Sequence, residues 1–308
     1  MPAATREGAR GGDFAVLLGG LLHTIRGWFF ILSLASLAGT TTSTATSISW
    51  INTSGGNWNV AANWSPSQVP GSSDTVWITN NGTYTVTVSD NETAGTISLG
   101  GTSGTQTLNL SGGNFTLSGS CVGNALSTFT ITGGTLTGAG TATLYGAFRW
   151  TVGSIQAPIQ FANGTIGTGG NKFLYTSLIN NGTMAWNDTI NSQSAATVIS
   201  NAVGATITLG SGVGTANTGG VVANSGAFTM TGPGASTISQ VFNNAGTVNV
   251  SGTLSLTGSG TETGGFSIPS GSTLSLNNGT WGFQTGSSIS NSGTVNLSSG
   301  TINFTSAS

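Results

Sequence analysis

Charge is what this sequence has least of. Five Lys and Arg, seven Asp and Glu and one His are spread over 308 residues, so 4% of the chain is charged, against about 25% in an ordinary globular domain. A formal net charge of −2 offers no basic patch to steer toward nucleic acid or anionic lipid, and no nucleic-acid partner is expected. Cysteine is nearly absent. Cys121 stands alone, so no intrachain disulfide can staple the fold, and with nothing nearby in sequence to lower its pKa it reads as a small buried residue. His23 is the sole histidine; past residue 45 there is none, which excludes Ser-His triads and the common zinc sites.

The same scarcity bears on catalysis. Past residue 45 the acids are Asp74, Asp90, Glu92, Asp188 and Glu262, and the bases are Arg149 and Lys172. Polysaccharide cleavage needs paired general acids and bases or metal carboxylates. Asp90 and Glu92 are two apart and would share a strand face, but "VSDNETAG" reads as a turn with both carboxylates solvated. Arg149 and Lys172 are close enough in sequence for neighbouring coils, yet no acid cluster is spaced to join them. "GTGGNKF" lacks the acid that a calcium loop would need. No enzyme activity, cofactor or metal site is expected.

What the sequence has is glycine, 51 of them, with Thr, Ser and Asn, and a hydrophobic share of 36%. That is enough apolar material for a core, in a turn-and-strand vocabulary. The N-terminus differs. Arg6, Arg10 and Arg26 precede the run "WFFILSLASLA" of residues 28–38, and small residues follow. Residues 1–45 read as a helical export signal, cleaved near 38 or 45. A second run, "FAVLLGGLL" at 14–22, raises a membrane anchor as the alternative, although neither run reaches about 18 residues. Any membrane contact is expected through this segment alone.

The rest repeats. "VFNNAGTVNVSGTLSL" at 241–256 returns as "ISNSGTVNLSSGTINF" at 289–304. Anchoring on Gly182, Gly204, Gly226, Gly246, Gly271 and Gly293 gives a spacing of about 22 residues, within the range of solenoids. After each anchor two apolar residues stand two apart, as in Met184/Trp186, Val248/Val250 and Val295/Leu297; period 2 is a half-buried strand. About 22 residues hold two or three short strands with turns, which is one coil of a parallel β-helix. Asn tolerates left-handed backbone, so it makes the corners, and stacked Asn side chains can form ladders along the axis. Asn81-Gly-Thr and its like match a glycosylation acceptor, a chance match in so Asn-rich a chain. The frame predicts Val248, Val250, Val295 and Leu297 in one continuous interior, and positive φ at Gly246. Upstream, Gly113 and Gly134 continue the pattern loosely; "LYGAFRW" and "NKFLY" within 141–175 read as irregular coils.

Residues 46–99 stand apart. Trp50, Trp58, Trp64 and Trp77 fall here, and a solenoid needs a distinct unit to close its first coil. The reading is aromatic cap core, with an alternative in which Trp58, Trp64 and Trp77 stack on sugar rings. Pro66 and Pro70 put "SPSQVPG" in a loop, with Asp74 serving the turn that follows. The phrase "GNWNVAANWSPSQVPGSSDTVWI" at 56–78 resembles the opening module of large secreted bacterial β-helix proteins, the autotransporter-like passengers and filamentous-haemagglutinin-like adhesins. The resemblance covers 48–99 by motif and the remainder by repeat style. It implies a right-handed parallel β-helix at or outside the bacterial cell surface. No translocator barrel or sorting tail follows in this sequence.

The expectation is therefore all-β: a right-handed parallel β-helix in 100–308, a Trp-rich cap and first coils in 46–99, and a signal before them. The repeat chemistry persists to "TINFTSAS", and the capping rule predicts that 308 is a truncation point of a longer protein. The expected function is a secreted or surface-exposed structural or adhesive repeat protein, whose rows of Thr, Ser and Asn bind weakly and many times over. Its partners would be glycans, extracellular matrix or further coils. A carbohydrate-binding module using the Trp50–Trp77 region is the second reading, and a degenerate polysaccharide-active β-helix enzyme the third.

Overall fold

A computed structural model describes residues 44–305. Almost all of the expected signal segment, with its cleavage site near 38, lies outside the described residues. From Ser47 onward the chain winds as a parallel β-solenoid of about 11 turns, with about 21 residues per turn. Each regular coil lays down one strand on each of three faces. In one mid-chain coil these are Val221–Asn224 on the first face, Ala227–Met230 on the second and Ala235–Ile238 on the third. The next coil repeats them as Val241–Asn244, Thr247–Asn249 and Thr253–Leu256. Parallel pairing stacks like on like, so Phe242 lies below Val222 and Val248 below Phe228.

Period 2 builds the interior. Within Val241–Asn244, Phe242 and Asn244 are buried while Val241 and Asn243 face outward. With a strand on three sides, each coil contributes apolar side chains to one cluster that runs from Ile48 to Phe283. Burial of this continuous column is the main stabilising term, since a single cysteine can form no intrachain disulfide.

Two kinds of corner join the first face to the second. While four residues follow Asn201, in several later coils the link is two residues, as in Asn224-Ser225-Gly226-Ala227 and Asn244-Ala245-Gly246-Thr247. So tight a corner leaves backbone groups pointing inward, and an inward Asn takes them. Asn180, Asn201, Asn224 and Asn244 occupy one column on successive rungs. The Nδ2 of each of the first three donates to the Oδ1 of the next, at 2.8 Å in every case. The same Nδ2 atoms also donate to backbone carbonyls of the second face, Thr206 O, Ala227 O and Thr247 O. The expected ladder therefore forms inside the corner, where burial makes a satisfied amide network worth most.

Gly246 corrects one expectation. It does not take up a positive φ. Glycine is needed there because a Cβ would sit 2.0 Å from the carbonyl oxygen of Gly226 on the rung above. Gly134, at the next corner, does have a positive φ of 67°.

The repeat frame also needs adjusting. Val248 and Val250 follow the corner into the second face, but Val295 and Leu297 lie on a third-face strand, Thr294–Ser298, below Leu274 and Leu276. A jump from one corner to another explains the long step between Gly246 and Gly271. Val248 and Val250 are buried, Val295 is partly buried and Leu297 is 48% exposed, because no described coil lies beneath it. The stretch 141–175 is more regular than it reads. Ala142–Trp150 is one strand spanning two faces, with a register shift between Leu144 and Ala147.

The first coil is closed. After Gly56–Asn57, a short 3-10 turn at Ala61–Asn63 brings Trp64–Ser65 back antiparallel to Ser47–Trp50, pairing Trp50 with Trp64. The free edge of the first strand is thereby covered. Trp58 and Trp64 meet edge to face at 4.8 Å, as do Trp50 and Trp64. The Trp64 indole N–H donates to Trp58 O at 2.7 Å.

Candidate functional site

The three tryptophans singled out for sugar stacking part company. Trp58 and Trp64 are fully buried in the cap and present no ring face to solvent. Trp77 lies at an outward position of the first face, in strand Thr75–Ile78, and is 40% exposed. Its indole N–H donates to Ser47 Oγ at 2.9 Å, which holds the ring against the sheet. Asp74 is buried and accepts from the backbone N–H of Gly71 and Thr46, so it ties the "SPSQVPG" loop to the first strand.

The ionisable groups do not converge. Asp90 is exposed and accepts from Asn59 Nδ2 at 2.8 Å. Glu92 begins a third-face strand, Glu92–Ala94, where partial burial and the nearby Asp90 charge raise its pKa. Arg149 faces outward on the second face. Lys172 is on a neighbouring coil but on the third face, and its side chain is 0% exposed. It donates to Asp188 Oδ2 at 2.7 Å and to Gly170 O at 3.2 Å. Burial raises the Asp188 carboxyl, but the Lys172 ammonium and the N–H groups of Thr189 and Gly169 outweigh it and hold the pKa below its usual value. This pair pins the loop before Lys172 to the next coil. Cys121 is buried, and burial pushes its thiol up to about 12. Among the described residues, no group of three or more His, Cys, Asp or Glu is placed to hold a metal ion.

Glu262 was one of the scarce acids in sequence; its place is the foot of the asparagine ladder. It stands directly below Asn244 and is fully buried, with neither carboxylate oxygen hydrogen-bonded. Burial pushes its pKa up to about 8, offset in part by the Asn244 amide. The carboxyl is therefore largely protonated at neutral pH, consistent with a group that replaces an amide in the column.

The outer surface carries the other polar groups, in rows. On the second face Thr85, Thr107 and Thr128 stack on successive rungs, and Thr87, Asn109 and Thr130 form a parallel row two residues away. Thr130 Oγ1 donates to Asn109 Oδ1 at 2.7 Å. Lower down, Thr183 stacks on Thr206, and Thr208 on Thr229. Arg149 interrupts the rows between these two fields. Adjacent rungs are about 4.8 Å apart and like positions along a strand about 6.7 Å apart, so the hydroxyls form a two-dimensional lattice.

Comparison of the chain with protein-family models, with curated proteins and with solved structures finds no match. The functional reading therefore rests on the residues themselves.

Proposed function

We infer that this chain is a secreted or surface-exposed structural and adhesive repeat protein of the bacterial cell envelope. Its solenoid serves as a rigid rod whose outer faces present repeated weak hydrogen-bonding groups to glycans or matrix. The observation that carries the reading is the pair of Thr and Asn rows on the second face, in register from rung to rung. Each hydroxyl contributes little, because water competes for it. A periodic polymer that meets several at once gains through effective concentration. The Arg-flanked apolar run before residue 45 supports export.

Adhesion to immobilised polysaccharide or matrix films tests this. Replacing Thr107, Thr128, Thr206 and Thr208 by Ala, one after another, should lower retention stepwise while far-UV circular dichroism stays unchanged. Retention that is absent from the start, or indifferent to all four replacements, removes the adhesive reading.

A further inference from the structure

We propose that the first face carries a binding strip for an uncharged glycan chain, running along the solenoid axis from Trp77 to Tyr145. It rests on the adhesive reading above and names a ligand class and a face for it.

Trp77 begins the strip. Its neighbours in the same outward column are Ser49 on the rung above and Ser98 on the rung below. Both are small, so the ring fixed by Ser47 keeps one face open. The column continues through Val122, 43% exposed, to Thr143 and Gln160. Three rungs below Trp77, about 14 Å along the axis, Tyr145 stands two residues past Thr143 at the register shift within Ala142–Trp150 and is 62% exposed. Trp77 and Tyr145 are thus two aromatic platforms at the ends of one strip, separated by small or apolar side chains.

Beside Tyr145 is a groove of about 210 Å³, lined among others by Thr143, Gln160 and Asn181. Its amides are already oriented. Gln160 Nε2 donates to Thr143 Oγ1 at 2.8 Å, and Asn181 Nδ2 reaches Gln160 Oε1 at 3.5 Å. Asn181 keeps its side-chain carbonyl and an N–H for another molecule. Amides that can both donate and accept suit neighbouring sugar hydroxyls, and exposed ring faces suit the C–H faces of pyranoses. The outward column from Ser49 to Gln160 carries no charged side chain, and Arg149 belongs to the second face. That selects a neutral polymer over a uronate or sulfated one. An elongated strip on a rigid face fits an extended chain, several sugars long, better than a single residue.

Affinity electrophoresis of the purified full chain through gels containing β-glucan, xylan, mannan, alginate or pectin tests the assignment. Retardation by at least one neutral polymer is expected. Trp77→Ala and Tyr145→Ala should each weaken it about tenfold, Asn181→Ala less, and Tyr145→Phe hardly at all. Ser200→Ala, lower in the same column, should leave it unchanged. Retardation by the acidic polymers alone, by none of the five, or to the same extent in the Trp77→Ala/Tyr145→Ala double variant overturns the strip. The two readings separate cleanly. A double variant that loses retardation yet still adheres through its hydroxyl rows supports both. Retardation that survives removal of those hydroxyls, in a chain that never adheres to films, supports the strip and sinks the multivalent rows.

Discussion

The fourth position of the first-face strand is filled in two ways along one molecule. In the early coils it holds Ile78, Leu99, Gly123, Leu144 and Phe161; in the later ones it holds Asn180, Asn201, Asn224, Asn244 and Glu262. The position is buried in both stretches, so burial alone does not decide the residue. Corner length alone does not decide it either: Leu144 and Phe161 precede links of two residues and one, and Asn201 a link of four. After Ile78 and Leu99 the chain takes a longer loop before the second face, and groups within the loops close the bonds. Gln106 accepts from Gly101 N and donates to Ser103 O, and Asn81 accepts from Thr102 N and Ser103 N. At the two-residue corners after Asn180 and Asn224 the column itself supplies an amide, which donates to second-face carbonyls. A buried amide is tolerable only beside another, so the substitution propagates rung by rung as a ladder.

If that account is right, the two halves are not interchangeable. Leu144→Asn should cost about 4 kcal/mol, since it loses packing and buries an amide with Gly123 above and Phe161 below rather than a ladder partner. Asn224→Leu should cost about 3 kcal/mol although leucine serves the same column higher up, because it removes the buried amide bonds of Asn224 with Asn201, Asn244 and Thr247 O. Guanidinium unfolding of the two variants decides. A near-neutral Asn224→Leu would show that the ladder is decoration on an apolar column.

The foot of the ladder gives the next largest effect. Glu262 is raised to about 8 by burial, whereas in the unfolded chain it titrates near the ordinary carboxyl value of about 4.3. The folded state therefore holds the proton more tightly. Its contribution to stability is fully present below the unfolded pKa and is lost as pH climbs through the folded one. Stability should fall by about 2 kcal/mol or more between pH 5 and pH 9. Glu262→Gln should flatten that slope, and Glu262→Asp should not. A wild-type unfolding midpoint that stays level across the range would mean that water or a counter-charge reaches the carboxylate.

The fold was largely legible, and for a definite reason. Period 2 and recurrent glycine are local signals, and a solenoid is built almost wholly from local repetition. Chemistry used at more than one corner was harder to place. Gly-Thr phrases open strands on all three faces, as Gly246-Thr247 does on the second, Gly252-Thr253 on the third and Gly279-Thr280 on the first, so Gly246 and Gly271 looked like equivalent anchors and are not. The ladder was foreseeable in kind but not by residue. In "VFNNAG" two asparagines adjoin, and only alternation counted from Phe242 shows that Asn244 faces in while Asn243 faces out. Glu262 gave no such clue, as its strand, Gly260–Glu262, contains no large apolar residue to set the phase. Of the sugar-stacking residues, Trp77 could be singled out by its aromatic type. Its exposure, and the burial of Trp58 and Trp64, depended on how residues 58–65 fold back over the first strand. Tyr145 was missed although the alternation runs unbroken from Ala142 to Trp150, because the inward place after it is held by Gly146 and offers no apolar side chain to mark the phase.

The smallest effect is expected at the bottom of the same column. Phe283 lies below Glu262 and is buried, while Phe304 lies below Phe283 and is 79% exposed. Their rings are 5.7 Å apart, so Phe304 touches its neighbour on one side and solvent on the other. A side chain so exposed has little transfer energy to lose. Phe304→Ala should therefore cost no more than about 0.5 kcal/mol, against several for a buried aromatic in the coils above. The comparison sharpens with concentration. If Phe304→Ala costs as much as a buried position, and the wild-type unfolding midpoint rises with protein concentration, then another copy covers this face in solution. If the cost is large but independent of concentration, the cover comes from the chain itself. A small cost at every concentration leaves the last described rung as a solvated edge, stabilised by the coil above it alone.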